Sequence, residues 1–344
     1  MTFQTRARRV RNPELPMGQR YTALRCALED YRQMGFHASW AFLTGADGRR
    51  KLDAESLVRA LDRLEASRNA RMVEQEAFAA RRMEAKRAGR RQPEPDEVRY
   101  RRGRRWPGPD AHEATRFAVA YEWRRIGDEP HERFAAVRDG LERVVTAYLG
   151  AGLDREGRLL LARVRAELTE AERELRDQYP AFRSGFKLRR IAETIELDTF
   201  PLVRRGWAGD VDAVARIFWA ARSGMPYLPA LYTREQTDWW VREVMVPQSE
   251  VLVAEHRGVP VGFAALDGDL LAHLYIEPGS QGRGIGEALL ERAKRRRRSL
   301  DLRVFAANTG ARAFYARHGF SEVGADDGSG NEEGLPDLLL RWRR

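Results

Sequence analysis

The hydrophobic periodicity of the chain changes near residue 199. Before that point apolar side chains recur at spacings of three and four. After it, short runs rich in branched side chains alternate with helical stripes and glycine turns. The chain therefore reads as a helical region followed by an α/β domain. Tyr21, Leu24, Leu28 and Tyr31 form one helical stripe, with Gly35 placed to close it, and Leu57, Leu61 and Leu64 form another behind Asp53 as a cap. Phe134, Val137, Leu141, Val144 and Tyr148 make a stripe ended by Gly150, and Leu161, Val164, Leu168 and Leu175 make one ended by Pro180. The last two are narrow enough to pack as an antiparallel pair. From Arg81 to Arg105 there are 11 basic and 4 acidic side chains and almost no apolar anchor, which reads as a linker or loop. The expected division is a helical segment over 1–80, a basic Pro/Arg-rich linker over 81–110, a helical continuation over 111–198 and an α/β (α+β) domain over 199–344.

Within the last region, strands are expected at Leu202–Val203, Val251–Ala254, Val261–Ala265, Leu270–Ile276, Leu302–Phe305, Phe320–Val323 and Leu338–Trp342. Helices are expected over Asp210–Arg222, over Arg234–Val246 with a stop at Pro247, over Gly284–Arg298 and over Gly310–His318. Trp239-Trp240 reads as a pair that packs the second of these helices.

Composition excludes several classes. Hydrophobic residues make up 43% of the 344, enough for ordinary cores. The longest run without Asp, Glu, Lys or Arg, Gln33 to Ala46, is shorter than the roughly 20 apolar residues a membrane span needs. The first residues have no apolar run of the secretory kind, and the single cysteine, Cys26, permits neither a disulfide framework nor a Cys-based zinc site. The expectation is a soluble, cytoplasmic protein without a metal. The net charge is +10, yet residues 199–344 carry 20 basic and 19 acidic side chains, so the excess belongs to the first half. That half suits a module binding nucleic acid or another acidic partner, and also a helical interaction domain with ordinary charged faces. It shows no zinc finger, RNP signature or clear helix-turn-helix. Only Lys51, Lys86, Lys187 and Lys294 are lysines among the 61 basic residues, a skew toward arginine that resembles coding bias.

The segment that carries chemistry runs from His273 to Leu290: a strand, then Gln281-Gly282-Arg283-Gly284-Ile285-Gly286, then a helix. A helix start offers free N–H groups and partial positive charge, and glycines let the backbone approach an anion, so the turn suits a pyrophosphate. A Walker loop would need Gly-Lys-Ser/Thr, which is absent. The dinucleotide fingerprint fails because its third glycine position is Glu287 or Leu289.

The remaining Gln-x-x-Gly-x-Gly pattern resembles the acetyl-coenzyme A loop of the GCN5-related N-acetyltransferase (GNAT) family. Val304 to Phe320, with Asn308, Phe314-Tyr315 and Gly319-Phe320, resembles a second motif of that family at the expected distance. Met225–Pro229, Gly262–Gly268 and Asp327–Glu333 are similar to a bacterial subgroup. The likeness spans about Leu202 to Trp342. It implies a mixed, mostly antiparallel sheet flanked by helices and direct attack of a primary amine on the acetyl-coenzyme A thioester. It also implies that Gln281, Gly282, Arg283, Gly284, Ile285 and Gly286 hold the pyrophosphate, while Leu274, Tyr275 and Ile276 pair with the pantetheine arm, with contacts from Asn308, Ala311 and Phe314. An oxyanion donor is implied at the backbone N–H of Tyr275 or Ile276, and Tyr315 is implied as the acid that protonates the thiolate.

For the base, Glu277 at the strand end and His273 on the same side of the strand are candidates. Tyr227 and Tyr232 are expected to line the acceptor cleft, and Glu332 and Glu333 to attract a cationic amine, whether a small molecule or a protein group. The rival reading is a non-catalytic acyl-coenzyme A sensor or adaptor with a basic nucleic-acid-binding helical domain.

Overall fold

The computed structural model describes residues 1–31, 33–45, 52–126, 132–174, 179–295 and 297–344. Its elements in chain order are helices α1 (Phe3–Arg11), α2 (Met17–Asp30), α3 (Phe36–Thr44), α4 (Ala54–Arg87), α5 (Pro95–Arg102), α6 (Ala111–Trp123), α7 (Glu132–Leu149), α8 (Arg155–Glu174) and α9 (Tyr179–Thr199). Then follow β1 (Leu202–Arg205), α10 (Val211–Ser223), α11 (Arg234–Trp240), α12 (Val246–Gln248), β2 (Glu250–His256), β3 (Val259–Asp267), β4 (Leu270–Ile276), α13 (Ile285–Lys294), β5 (Ser299–Phe305), α14 (Thr309–Arg317), β6 (Ser321–Asp326) and β7 (Asp337–Arg343). Two compact units result. One joins Met1–Met83 with Arg99–Thr199, and the other joins Glu84–Val98 with Phe200–Arg344.

The first unit is helical. One core gathers Val10, Leu24, Leu28, Leu57, Leu61, Leu64 and Trp106. The stripe of α7 (Phe134, Val137, Leu141, Val144 and Tyr148) is buried, as are Leu161, Val164 and Leu168 of α8, and the two helices pack together. The Asp53 carboxylate accepts from the Ser56 N–H at 2.7 Å, capping α4 as its sequence implies. Much of the arginine here is engaged between helices. Arg63 bridges Asp110 and Glu113 at 2.7 and 2.8 Å, Arg104 and Arg190 share Glu122, each at 3.0 Å, and Arg189 holds Glu172 at 3.0 Å.

Three local expectations are corrected. Gly35 does not close α2, which ends at Asp30; its φ of +84° instead turns the chain into α3. Pro180 ends nothing, because α9 begins at Tyr179 and a proline in a first helical turn has no N–H bond to lose. Leu175 lies outside the described residues. The expected linker is largely helical: α4 runs on to Arg87, and α5 begins at Pro95. Its acidic residues supply the anchorage that apolar ones do not. Glu94 pairs with Arg292, and Asp96 pairs with Arg295 at 2.9 Å, which ties this segment to the second unit.

The second unit is built on a seven-stranded sheet of order β1-β2-β3-β4-β5-β7-β6, in which every neighbouring pair is antiparallel except β4 with β5. Alternation along the strands sends Leu252, Ala254, Ala264 and Leu266 toward Leu289, Leu290 and Ala293 of α13. It sends Val251, Val253, Phe263 and Ala265 toward Val214, Ile217 and Phe218 of α10. The expected strands are all present. The helix after Gly284 stops at Lys294, short of Arg298, because β5 already begins at Ser299. The helix expected to stop at Pro247 ends one residue beyond it, at Gln248. A wider π turn over Val241–Met245, closed by the Val246 N–H on the Val241 carbonyl, leads into α12.

At the sheet edge Arg204 is buried and donates to both oxygens of Asp210, at 2.6 and 2.8 Å, and to Glu255. Two buried carboxylates thus depend on one cation. Arg204→Ala is expected to destabilise the protein by about 3–5 kcal/mol, read by urea denaturation, whereas a surface change such as Arg242→Ala is expected to cost less than about 1 kcal/mol.

Candidate active site

The parallel neighbours β4 and β5 meet at a single register pair, Leu270 with Asp301. Beyond it β4 pairs only with β3, and β5 only with β7, so the two strands diverge and the inner edge of each is left without a ladder. A bulge accompanies the divergence: Ala265 faces His273 and Leu266 faces Leu271, which leaves Ala272 unpaired on β4. The extra residue re-aims the strand. Leu271, Leu274 and Ile276 pack on the α13 side, while His273 and Tyr275 lie against Phe218 on the α10 side.

The glycine turn closes the top of this gap. Gly282 and Gly284 have φ of +74° and +79°, which only glycine adopts readily. Gly284 precedes α13, whose first turn has no side-chain cap. Gly286 lets α13 approach α14, since a Cβ there would stand 3.3 Å from the Phe314 ring. Gly262 on β3 does the same for the sheet, with Ile276 and Ile285 at 2.7 and 3.1 Å from its would-be Cβ. Gln281 reaches the Ile276 carbonyl at 3.5 Å. Arg283 is exposed and has no ion-pair partner among the described residues. Asn308 caps α14 by accepting from the Ala311 N–H at 3.0 Å. Leu274, Ile276, Ile285, Ala311, Phe314 and Tyr315 share one apolar cluster, while Tyr275 packs with the cluster on the other face of the sheet.

Tyr315 is buried, and its hydroxyl has no hydrogen-bond partner among the described residues. Burial, with Tyr275 nearby, raises its pKa well above the ordinary phenol value, so the group is a protonated donor at neutral pH. The two base candidates are placed differently. Glu277 is half-exposed and one of its oxygens accepts from Arg216, which also donates to the Pro260 carbonyl at 3.0 Å. His273 lies in an aromatic box of Phe218, Trp240 and Tyr275, with ring centres 5.7, 5.5 and 6.1 Å away. Burial, reinforced by Arg222, pulls its imidazole down to about 4.

On the acceptor side, Tyr227 packs against Phe305 with ring centres 6.0 Å apart, and Tyr232 donates to Glu332 at 2.8 Å. Glu333 accepts from Arg222 at 2.5 Å. Arg222 also reaches the Tyr275 hydroxyl at 3.4 Å and lies over the Phe218 ring. Sequence reasoning missed Arg222, Phe218 and Trp240. The available signal was the i, i+4 spacing of Phe218 and Arg222 on α10, which puts both on one helix face. Among the described residues no three His, Cys, Asp or Glu side chains gather as a metal site.

A family model described as an acetyltransferase (GNAT) domain matches residues 247–322. The peptidyl-lysine N-acetyltransferase YjaB of Escherichia coli (strain K12) is 34% identical over 102 residues, which cover 29% of this chain and 68% of that protein. The chain belongs to the GCN5-related N-acetyltransferase family. The peptidyl-lysine N-acetyltransferase YiaC of Escherichia coli (strain K12) is 28% identical over 143 residues, covering 41% of this chain and 96% of that one. The solution structure of apo-form YjaB from Escherichia coli aligns with a TM-score of 0.37 and 28% identity, over 41% of this chain and 95% of that chain. No family model matches the N-terminal half. The second unit is thus an N-acetyltransferase domain. Among the described residues no helix is long and apolar enough to cross a membrane.

The His273 box makes a measurable claim. The unfolded chain takes up a proton near 6.5, and the folded domain only near 4, so His273 contributes stability above pH 6.5 that is lost as the pH falls toward 4. NMR titration is expected to show its imidazole neutral from pH 8 down to about 5.

Proposed function

We propose that this protein transfers the acetyl group of acetyl-coenzyme A to the side-chain amine of lysine in a polypeptide. The observation that carries the reading is the single-pair junction of β4 and β5 beside the uncapped start of α13. An extended, amide-bearing arm fits between the diverging strands, and a pyrophosphate fits the N–H groups at Gly284–Gly286 with Arg283 beside them. The lysine acceptor is supported by the relatives YiaC and YjaB, both named peptidyl-lysine N-acetyltransferases.

Acetyl-coenzyme A brings a thioester carbonyl that accepts a nucleophilic amine. The chain's own groups then have separate tasks. The Glu277 N–H donates to the Val261 carbonyl of β3, so by alternation the Tyr275 N–H also points to β3. The Ile276 N–H lies on the free edge of β4, where it faces the carbonyl oxygen and stabilises charge that develops there. Tyr315, held protonated by burial, gives its proton to the departing sulfur. His273 is a poor base, because an imidazole near 4 has little affinity for the proton of an ammonium. Glu277 is the better candidate. Its second oxygen has no partner among the described residues and its side chain reaches solvent, so it takes the proton through water. Tyr227 and Tyr232 border the acceptor cleft, and Glu332 favours a cation at its mouth, whereas the charge of Glu333 is already met by Arg222. The N-terminal unit serves as an interaction or targeting domain. The engagement of its arginines in pairs between helices supports this over a phosphate-binding role.

Thiol release from acetyl-coenzyme A with lysine peptides tests the assignment. Tyr315→Phe is expected to lower kcat about 100-fold with little change in KM for acetyl-coenzyme A. Glu277→Gln is expected to lower kcat at neutral pH and to recover at pH values approaching the lysine pKa of about 10.4, where the acceptor deprotonates unaided. Gly284→Val forces a branched residue into positive φ and is expected to raise KM for acetyl-coenzyme A about tenfold or more. Full turnover by the Tyr315 variant would remove the acid. Absence of thiol release with any lysine peptide would remove the lysine acceptor.

A further inference from the structure

Helix α14 presents different chemistry on its two sides. Ala311, Phe314 and Tyr315 pack into the cluster that also holds Ile285 of α13. On the other side Ala313 and Ala316, three residues apart, face a cavity of about 350 Å³ between α14 and the last two strands, β7 and β6. Leu338 and Leu340 of β7, with Phe320, complete its apolar wall. Both alanines are exposed, and their methyl groups leave open the space that longer side chains would fill. A cavity of this size, apolar with a few polar groups, is of the kind that holds a small molecule.

Two opposite charges stand in its wall. Glu322 on β6 is the cross-strand partner of Leu340, so a carboxylate shares a sheet face with a core leucine. Arg312 adjoins Ala313 on α14, and its guanidinium donates to the Ala306 carbonyl at 3.1 Å. Both line the cavity, yet they form no ion pair with each other or with any other described residue. A purely apolar occupant would leave both charges uncompensated, and a purely polar one would leave the leucines wet. A ligand with both charges and an apolar body satisfies the whole wall.

We propose that this cavity binds a free α-amino acid with an apolar side chain, and that its occupation is felt at the acetyl-coenzyme A site through α14. The carboxylate pairs with Arg312, the ammonium pairs with Glu322, and the side chain lies between the two alanines and the leucines of β7. The binding stands apart from the lysine reading, and the coupling rests on the acetyl-coenzyme A reading above. Tyr315 and the Asn308 cap belong to the same short helix, so a ligand that holds α14 against β7 favours one placement of both.

The test is calorimetry on the full chain, with L-leucine and L-phenylalanine as probes. Controls are isocaproate, which lacks the amine, isoamylamine, which lacks the carboxylate, and glycine, which lacks the side chain. At least one probe is expected to bind saturably, and each control at least about tenfold more weakly. Ala316→Trp fills the cavity and is expected to abolish binding. Glu322→Gln is expected to weaken the amino acid about tenfold and leave isocaproate unchanged, and Arg312→Gln to leave isoamylamine unchanged. A saturating probe is expected to change the Kd of acetyl-coenzyme A at least about threefold in wild type and not in Ala316→Trp. No saturable binding of either probe, a control that binds as tightly as the amino acid, or binding that survives in folded Ala316→Trp would overturn the site. Binding with an unchanged Kd for acetyl-coenzyme A would uphold the site and refute the coupling. Amino-acid binding by a chain that takes up no acetyl-coenzyme A would refute the cofactor reading and leave the site standing.

Discussion

The site depends on an interruption in the sheet. β4 and β5 share one register pair and then separate, so two strand edges face each other across open space in the middle of a sheet. An unpaired edge leaves backbone donors and acceptors without partners, a state that folded proteins keep only where something else satisfies them. The bulge at Ala272 and the glycines at 282, 284 and 286 act on the same place. The bulge turns His273 and Tyr275 toward α10. Gly286 brings α13 against Phe314 of α14, and Gly262 brings its first turn onto the sheet. The uncapped end of α13 therefore stands at the wide end of the gap.

Electrostatics then divides the domain. Buried charge is used for architecture, as in the Arg204, Asp210 and Glu255 group, where one guanidinium serves two carboxylates. Near the gap, two buried ionisable groups are kept uncharged. Tyr315 is held as a phenol by burial, and His273 as a neutral imidazole by its aromatic neighbours and Arg222.

Much of this was legible in the sequence because it is local. The glycine turn, the Asn308 cap and the Phe314-Tyr315 pair are fixed by short-range geometry, and each lies where its spacing puts it. Strand and helix alternation after residue 199 was readable for the same reason. Long-range pairing was not. Residues 81–110 read as a basic linker, yet Glu94 and Asp96 within it are held by arginines about two hundred residues away, a contact that no local pattern announces. Glu277 read as a candidate base and Glu333 as a group that attracts a cationic amine, and their partners Arg216 and Arg222 lie on a different element. The apolar weight of Trp239 suggested packing, yet it is exposed, and only the three-dimensional arrangement separates it from Trp240, which lies against Phe218 and His273.

The central claim is that the space between the diverging strands, closed by the glycine turn, receives acetyl-coenzyme A. Hydrogen exchange on the full chain, with and without saturating acetyl-coenzyme A, addresses it residue by residue. The account predicts slowed exchange confined to the backbone amides of Leu274 and Ile276, which point away from β3, and of Gly284–Glu287, with the α11 face unchanged. Unaltered exchange at both segments, or protection confined to other parts of the chain, would contradict it.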